Sequence, residues 1–188
     1  MADDDLASVV ARLNQVEAEL KALQDEKAIN EVIRKWHHEC TGGFAGKQPG
    51  RMEALECLSE DATIEILGLH EPGKGPKGRE QYTVYWDYYF GDDGPLPHVF
   101  QASLENKVVL NGDTAVQTSA MIGMFRPRGM PAWMGLSQRT NNMRREPDGW
   151  KIVKTTMEGG LTTTLNDLFG PLNPEQEYRP RPEWKYAE

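Results

Sequence analysis

The segment GDTAVQTSAMIGMF at 112–125, followed by QRTNNMRREPDGWKIVKTTMEGG at 138–160, decides the fold. Two long strand-like runs are joined by a loop rich in proline and methionine. The second run breaks at Pro147-Asp148-Gly149 and restarts at Trp150. Asp-Gly between two such runs is a strong hairpin signal, because these residues accept the positive φ of a tight turn. Asn111-Gly112-Asp113 makes a similar turn one strand earlier. Strands are predicted at about 98–111, 114–126, 134–146 and 150–158. A helical first half ahead of this meander predicts an α+β fold whose sheet wraps around helices and leaves a deep pocket.

Upstream, residues from Asp3 to about Cys40 read as one long helix with room for a single break. Leu6, Val9, Leu13, Val16, Leu20 and Leu23 recur in alternating steps of three and four, a heptad seam about three repeats long. The remaining residues there are mostly good helix formers. So narrow a stripe needs a partner, either the body of the domain or a neighbouring subunit. From Ile29 the apolar face thickens through Val32, Ile33 and Trp36, where the helix enters the core. Gly42, Gly43 and Gly46 stop it. A short helix is predicted near Gly50–Leu58, a strand at Ala62–Leu69, a loop at 72–78, and an aromatic helix from Arg79 to Phe90. The expected organisation is a heptad helix at 1–28, an α+β domain at 29–164 and a proline-rich extension at 165–188, too rich in proline for a helix.

A chain of 188 residues is long enough for one domain with a substantial core. Its net charge of −8 argues against nucleic acid as the main partner, since phosphate binding needs a basic face. It has no apolar run of membrane length and no signal-peptide pattern. Cys40 and Cys57 make no disulfide framework and read as reduced thiols of a cytoplasmic protein. The sequence contains no phosphate-binding glycine loop, no dinucleotide fingerprint and no GxSxG.

Four stretches carry a resemblance. They are LSEDATIEI (58–66), GKGPKGREQY (73–82), VVLNGDTAV (108–116) and RREPDGWKI (144–152), taken with Ile29–Trp36 on the first helix. In order and spacing they resemble the nuclear transport factor two-like (SnoaL-like) superfamily over about residues 25–160. The resemblance implies a cone-shaped barrel, with a strongly curved, mixed, mostly antiparallel sheet wrapped on about three helices. It implies a pocket at the wide end. The heptad-bearing extension is similar to that of bacterial SnoaL-like lyases and dehydratases, which implies a homo-oligomer with a trimer favoured. Dehydratase members carry a Tyr and an Asp at the end of the first helix and a His on the strand after the third. The corresponding positions here are Trp36, near Thr41, and near Gln101 or Leu104. The family's Tyr-x-Asp appears as Arg139-x-Asn141. The usual Asp–His pair is therefore replaced by other residues, most of them polar.

Several residues suit chemistry in such a pocket. His98 opens a strand expected to line it, and histidine moves protons near neutral pH. His37 and His38 are adjacent on the first helix, without the i,i+4 spacing of a zinc pair. Tyr82, Tyr85 and Tyr89 share one side of the aromatic helix. They serve either as core or as a wall whose phenols donate hydrogen bonds. Met121, Met124, Met130, Met134 and Met143 add pliable apolar lining. The loop Arg126–Trp133 resembles a lid, with Met130 and Trp133 able to close over a ligand. Arg139 and Asn141 share a strand face and form a polar anchor if that face is inward. Glu65 or Glu158 would then partner the arginine. Lys107 serves as a base or phenolate stabiliser if inward. Trp36, His37 and Gln101 complete the expected wall.

The expected activity is that of a cofactor-independent lyase acting on an apolar aromatic small molecule. His98 and Tyr85 would move protons, and Arg139 and Asn141 would hold an oxygen. Resemblance to proteins of aromatic-degrading bacteria points to release of formaldehyde and water from lignin-derived diarylpropanes. The alternatives are a steroid- or polyketide-type dehydratase, isomerase or cyclase, and a binding or assembly module such as the small subunit of a ring-hydroxylating oxygenase. No metal, nucleic-acid or membrane partner is expected.

Overall fold

A computed structural model describes residues 2–41, 52–67, 71–91, 93–96 and 98–164. The helix-stopping glycines after Thr41 and the extension at 165–188 lie outside these residues, as does the Cys40 side chain. Helix α1 (Ala2–Thr41) runs 40 residues without a break, about 60 Å at 1.5 Å per residue. The uninterrupted run is what a stretch free of Gly and Pro allows. A short 3₁₀ helix (Met52–Cys57) leads into β1 (Leu58–Leu67). Then come α2 (Gly78–Phe90), β2 (His98–Asn111), β3 (Thr114–Arg126), β4 (Trp133–Glu146) and β5 (Gly149–Thr164). The elements follow the sequence pattern closely. Gly149 sits at φ +123°, a value that side chains resist, and so fixes the β4–β5 hairpin at the predicted place.

The five strands form one sheet in the order β1-β5-β4-β3-β2. β1 runs parallel to β5, and all other pairs are antiparallel. The sheet is open, with β1 and β2 as edges, so the expected cone-shaped, strongly curved barrel is corrected to an open mixed sheet. Part of the reason is local to β1. Its outer edge is already occupied, because Ile64 N–H donates to Pro76 O at 3.1 Å and Thr63 bridges to Lys77. Gly75 makes this possible, since a Cβ there would meet Ile64 O at 1.9 Å. Helix α1 packs against β2, α2 against β1.

The core lies where the second half of α1 meets the sheet. Ile29, Ile33 and Trp36 pack with Tyr82 and Trp86 of α2 and with Ala115, Met143, Trp150 and Ile152. Asp25 anchors the helix there. It accepts from Arg145 at 2.6 Å and from the Trp150 indole at 3.3 Å, and the Arg145 guanidinium lies 4.5 Å from the Trp150 ring centroid. Tyr82 donates its hydroxyl proton to Ser59 O at 3.2 Å, satisfying a buried phenol.

Bulges decide which side chains face inward beyond this core. In β2 the pairing shifts between Leu104 and Lys107, where Glu105 takes φ +52°. Inward parity passes from Val99 and Gln101 to Val108 and Leu110. In β5 the shift opposite Asn142/Met143 passes it from Trp150 and Ile152 to Thr155 and Met157. Each extra residue exchanges the two faces of its strand. No helix among the described residues is long and apolar enough to cross a membrane.

Candidate active-site cavity

Past the core, α2 and the inner face of the sheet diverge around a cavity of about 500 Å³. Helix α2 presents Tyr85, Trp86, Tyr89 and Phe90 to it, since steps of three and four keep these rings on one side. The rings touch one another: Tyr85–Tyr89 centroids are 4.7 Å apart, as are Trp86–Phe90, and Trp36 of α1 joins at 5.1 Å from Trp86. β1 contributes Ile64 and Ile66, β3 Met121 and Phe125, β4 Trp133, and β5 Met157. Phe125 and Trp133 pack at 5.8 Å across the mouth of the β3–β4 hairpin.

The cavity floor is polar. Ser119, Arg139 and Met157 lie side by side on β3, β4 and β5, and one step nearer the core Gln117, Asn141 and Thr155 do the same. Arg139 is only 6% exposed, in a wall made chiefly of aromatic and aliphatic groups. Its Nη2 donates to Gln101 Oε1 at 3.2 Å and approaches Met157 Sδ at 3.6 Å. Asn141 donates to Gln117 Oε1 at 2.6 Å, and Gln117 donates onward to Asn106 at 3.3 Å, at the β2 bulge. The Nε1 atoms of Trp36 and Trp133 and Thr155 Oγ1 are buried in the cavity-lining residues without a hydrogen-bond partner among the described residues. Buried polar atoms of this kind are ordinarily satisfied by water or ligand.

Beside this floor, His37 is pushed down to about 3, first by burial and then by the positive charge of Arg139. It is therefore neutral at physiological pH. Burial raises the Tyr89 phenol above its ordinary value, so it holds its proton. Burial also pushes the Cys57 thiol up to about 11, which leaves no thiolate to act as nucleophile.

The structure sorts the expected site residues. Trp36, Tyr85, Tyr89, Gln101, Met121, Trp133 and Arg139 line the cavity. Asn141 supports the floor one row below. His37 is buried within electrostatic reach of Arg139. Tyr82 sits in the core. His98 is exposed, because Val99 and Gln101 take the inward parity of that half of β2. Lys107, beside the bulge, is exposed as well. Met134 alternates away from Trp133 and Gly135 and pairs with Met124 on the outer face. The lid-like loop is tied down by Arg128, whose side chain donates to Gly94 O at 2.7 Å and whose N–H donates to Pro95 O at 3.0 Å. Met130 on that loop is 57% exposed. Glu65 is buried and also lines the cavity, but its carboxylate is reached by Lys154 at 3.0 Å and accepts from Gly73 N–H at 3.0 Å. Glu158 is exposed.

Sequence reasoning missed Gln117, Ser119, Thr155 and Met157. The first two share parity with Ala115 and Met121, a usable signal. The last two depend on the β5 bulge. Among the described residues no group of three or more His, Cys, Asp or Glu side chains is placed to hold a metal ion.

No family model and no curated protein matches the sequence. Solved structures do match the fold. An aromatic ring hydroxylase candidate from Novosphingobium aromaticivorans superposes with a TM-score of 0.65 at 20% identity, over 77% of this chain and 96% of that one. A scytalone dehydratase candidate from the same organism gives 0.63 at 14% identity, over 76% and 89%. The type 3 hexachlorocyclohexane dehydrochlorinase of Novosphingobium barchaimii gives 0.62 at 13% identity, over 78% and 93%. At such identities the agreement speaks to backbone architecture, and it extends over nearly the whole of each neighbour. What this chain shares with these neighbours is therefore the fold, and a further neighbour from Novosphingobium aromaticivorans, described as an NTF2-like protein with a cystatin-like fold, superposes with a TM-score of 0.57 at 20% identity, over 78% of this chain and 89% of that one.

Proposed function

We infer that the protein is a cofactor-independent lyase acting on an apolar aromatic small molecule held in this cavity. The observation that carries the reading is the pairing of an aromatic wall with one buried guanidinium at its floor. The wall offers stacking surface, and Arg139 with Gln101 offers two donors to a phenolate, phenol or carbonyl oxygen of the substrate. A cavity of about 500 Å³ is in the usual range for a ligand of two rings.

Tyr89 and Tyr85 face the same space and are the proton carriers of this reading. A protonated phenol gives its proton to a benzylic hydroxyl, which leaves as water. The resulting phenolate takes a proton back from the substrate. If that proton comes from carbon, the net reaction is dehydration. If it comes from a neighbouring hydroxymethyl group, its C–C bond electrons form the new double bond and formaldehyde departs with the water. Lignin-derived diarylpropanes carry both groups, which makes them the substrate class proposed. Arg139 orients the ring oxygen and stabilises its charge in a cavity whose walls are chiefly apolar. Supporting this reading are the aromatic setting of both tyrosines, which are half-buried at the cavity wall, and the neutral state of His37.

The test is mass spectrometry of purified protein incubated, with no added cofactor, with diarylpropanes and steroidal aromatics. Loss of water plus CH₂O supports the formaldehyde-lyase reading. Loss of water alone selects a dehydratase. No turnover of any compound, while the same compounds bind, moves the protein to a binding role.

A further inference from the structure

Two glycines face each other on the inner face of the sheet. Gly123 of β3 pairs with Gly135 of β4, and both line the cavity. They lie in the row of Gln101, which pairs with Gly123 from β2 and whose Oε1 accepts from the Arg139 guanidinium. Glycine weakens the interior of a strand, and it marks a bulge, a bend or a close approach by a ligand or another chain segment. The β3–β4 register runs unbroken from Thr114 opposite Arg144 to Phe125 opposite Trp133, so no bulge in that pair calls for glycine. The β4–β5 bulge one step on is taken up by Gly160, where a Cβ would meet Leu136 O at 3.2 Å.

The paired glycines differ. A Cβ at Gly123 would meet the Phe125 ring at 2.6 Å, so this glycine lets the ring lie down on the strand. A Cβ at Gly135 would meet, among the described residues, nothing nearer than Thr162 Oγ1 at 3.5 Å and Leu161 O at 3.6 Å, both ordinary contacts. Its backbone is also outside the left-handed region. Neither conformation nor packing against the described residues requires glycine at 135. What the missing side chain leaves is space, between Trp133 and Ser137 on the inward face of β4. The same cavity holds Trp36 Nε1 and Thr155 Oγ1, on residues 2% and 4% exposed, with no hydrogen-bond partner among the described residues. Such atoms mark a place that water or a ligand enters.

We propose that Gly135 is a specificity-determining residue: its bare backbone leaves the slot in which an aromatic ring lies against the sheet, with the ring's oxygen held by Arg139 and Gln101. The Phe125–Trp133 pair bounds the slot at the hairpin end. A side chain at 135 lifts a broad ring off the strand and away from its anchor. This rests on the reading of the cavity as a site for oxygen-bearing aromatics, and it names the residue that sets how broad the ring is.

The test is calorimetric titration of the full chain with phenol and with 2-naphthol, for wild type, Gly135→Ala and Gly135→Val. The 2-naphthol affinity should fall about 5- to 100-fold across the two variants, the scale of an overpacked contact, and phenol should change by about threefold or less. The urea midpoint of Gly135→Ala should match or exceed that of wild type, since alanine loses less backbone freedom on folding. Arg139→Met separates the two readings. If it weakens both probes while the Gly135 variants bind them as wild type does, the slot is overturned and the cavity reading stands. Equal losses of phenol and 2-naphthol, or a lowered midpoint in Gly135→Ala, also overturn the slot. Wild type binding neither probe overturns the cavity reading, and the slot with it.

Discussion

His37 is expected to make stability pH-dependent well above the range in which carboxylates titrate. Its imidazole is pushed from an ordinary 6.5 to about 3, mainly by burial and then by Arg139. The unfolded chain therefore takes up a proton near pH 6.5 that the folded chain refuses until about pH 3. Stability from this group is fully present above pH 6.5 and falls as pH drops through the window down to about 3. One proton corresponds to about 1.4 kcal/mol per pH unit, so moving from pH 6.5 to 5 should cost about 2 kcal/mol. Over that interval ordinary carboxylates remain ionised in both states, which isolates the histidine. Urea unfolding at half-unit steps between pH 7 and 5, on wild type and on His37→Gln, measures it. Gln keeps a polar side chain but cannot titrate, so its midpoint should be flat where wild type slopes. Equal slopes in the two proteins would refute the argument.

Arg139→Met should weaken binding of a phenolate ligand roughly 10- to 150-fold, from loss of a charge-assisted hydrogen bond worth about 1.5–3 kcal/mol, while binding of the corresponding methyl ether changes little. Quenching of the cavity tryptophans reads both affinities, and equal losses would remove Arg139 from the ligand's oxygen. The same variant should raise the His37 titration seen by NMR above its wild-type value, because one of its two depressing influences is gone. Tyr89→Phe should lower turnover by about 10²–10⁴-fold if its phenol carries the proton, whereas His98→Ala, exposed and off the cavity, should leave turnover within twofold by about 0.4 kcal/mol or less. Gly75→Ala should lower the unfolding free energy, measured by urea titration, by about 1–3 kcal/mol, because a Cβ at 1.9 Å from Ile64 O forces the loop off β1. Unchanged stability there would mean that the loop is not held against the strand.

Much of the fold was legible because local signals agree. The period of α1, the glycine turns at Gly112 and Gly149, and the strand lengths between them each rest on residues near in sequence. The closed barrel was not legible, and it proved wrong. Whether β1 pairs with β2 or with the loop at Pro76–Lys77 depends on a contact across the molecule. The site was half legible for a related reason. The i,i+3 and i,i+4 pattern placed Tyr85 and Tyr89 together, and period-two alternation placed Arg139 with Asn141. His98 and Met134 were set on the wrong face of their strands, each by the one-residue ambiguity of strand register.

What this sequence determines alone is the order and type of its elements, and the presence of an apolar heptad seam along the first half of α1. These follow from propensity, periodicity and turn chemistry within a few residues of each position. What only the tertiary structure decided is which polar groups are buried together. The bulges at Glu105 and after Ile152 flip the inward faces of β2 and β5, and so bring Gln101, Arg139 and Met157 to one floor. A bulge is a choice between pairings on different strands, made by the packing of α1 and α2 against the whole sheet, and the residues of one strand do not contain it.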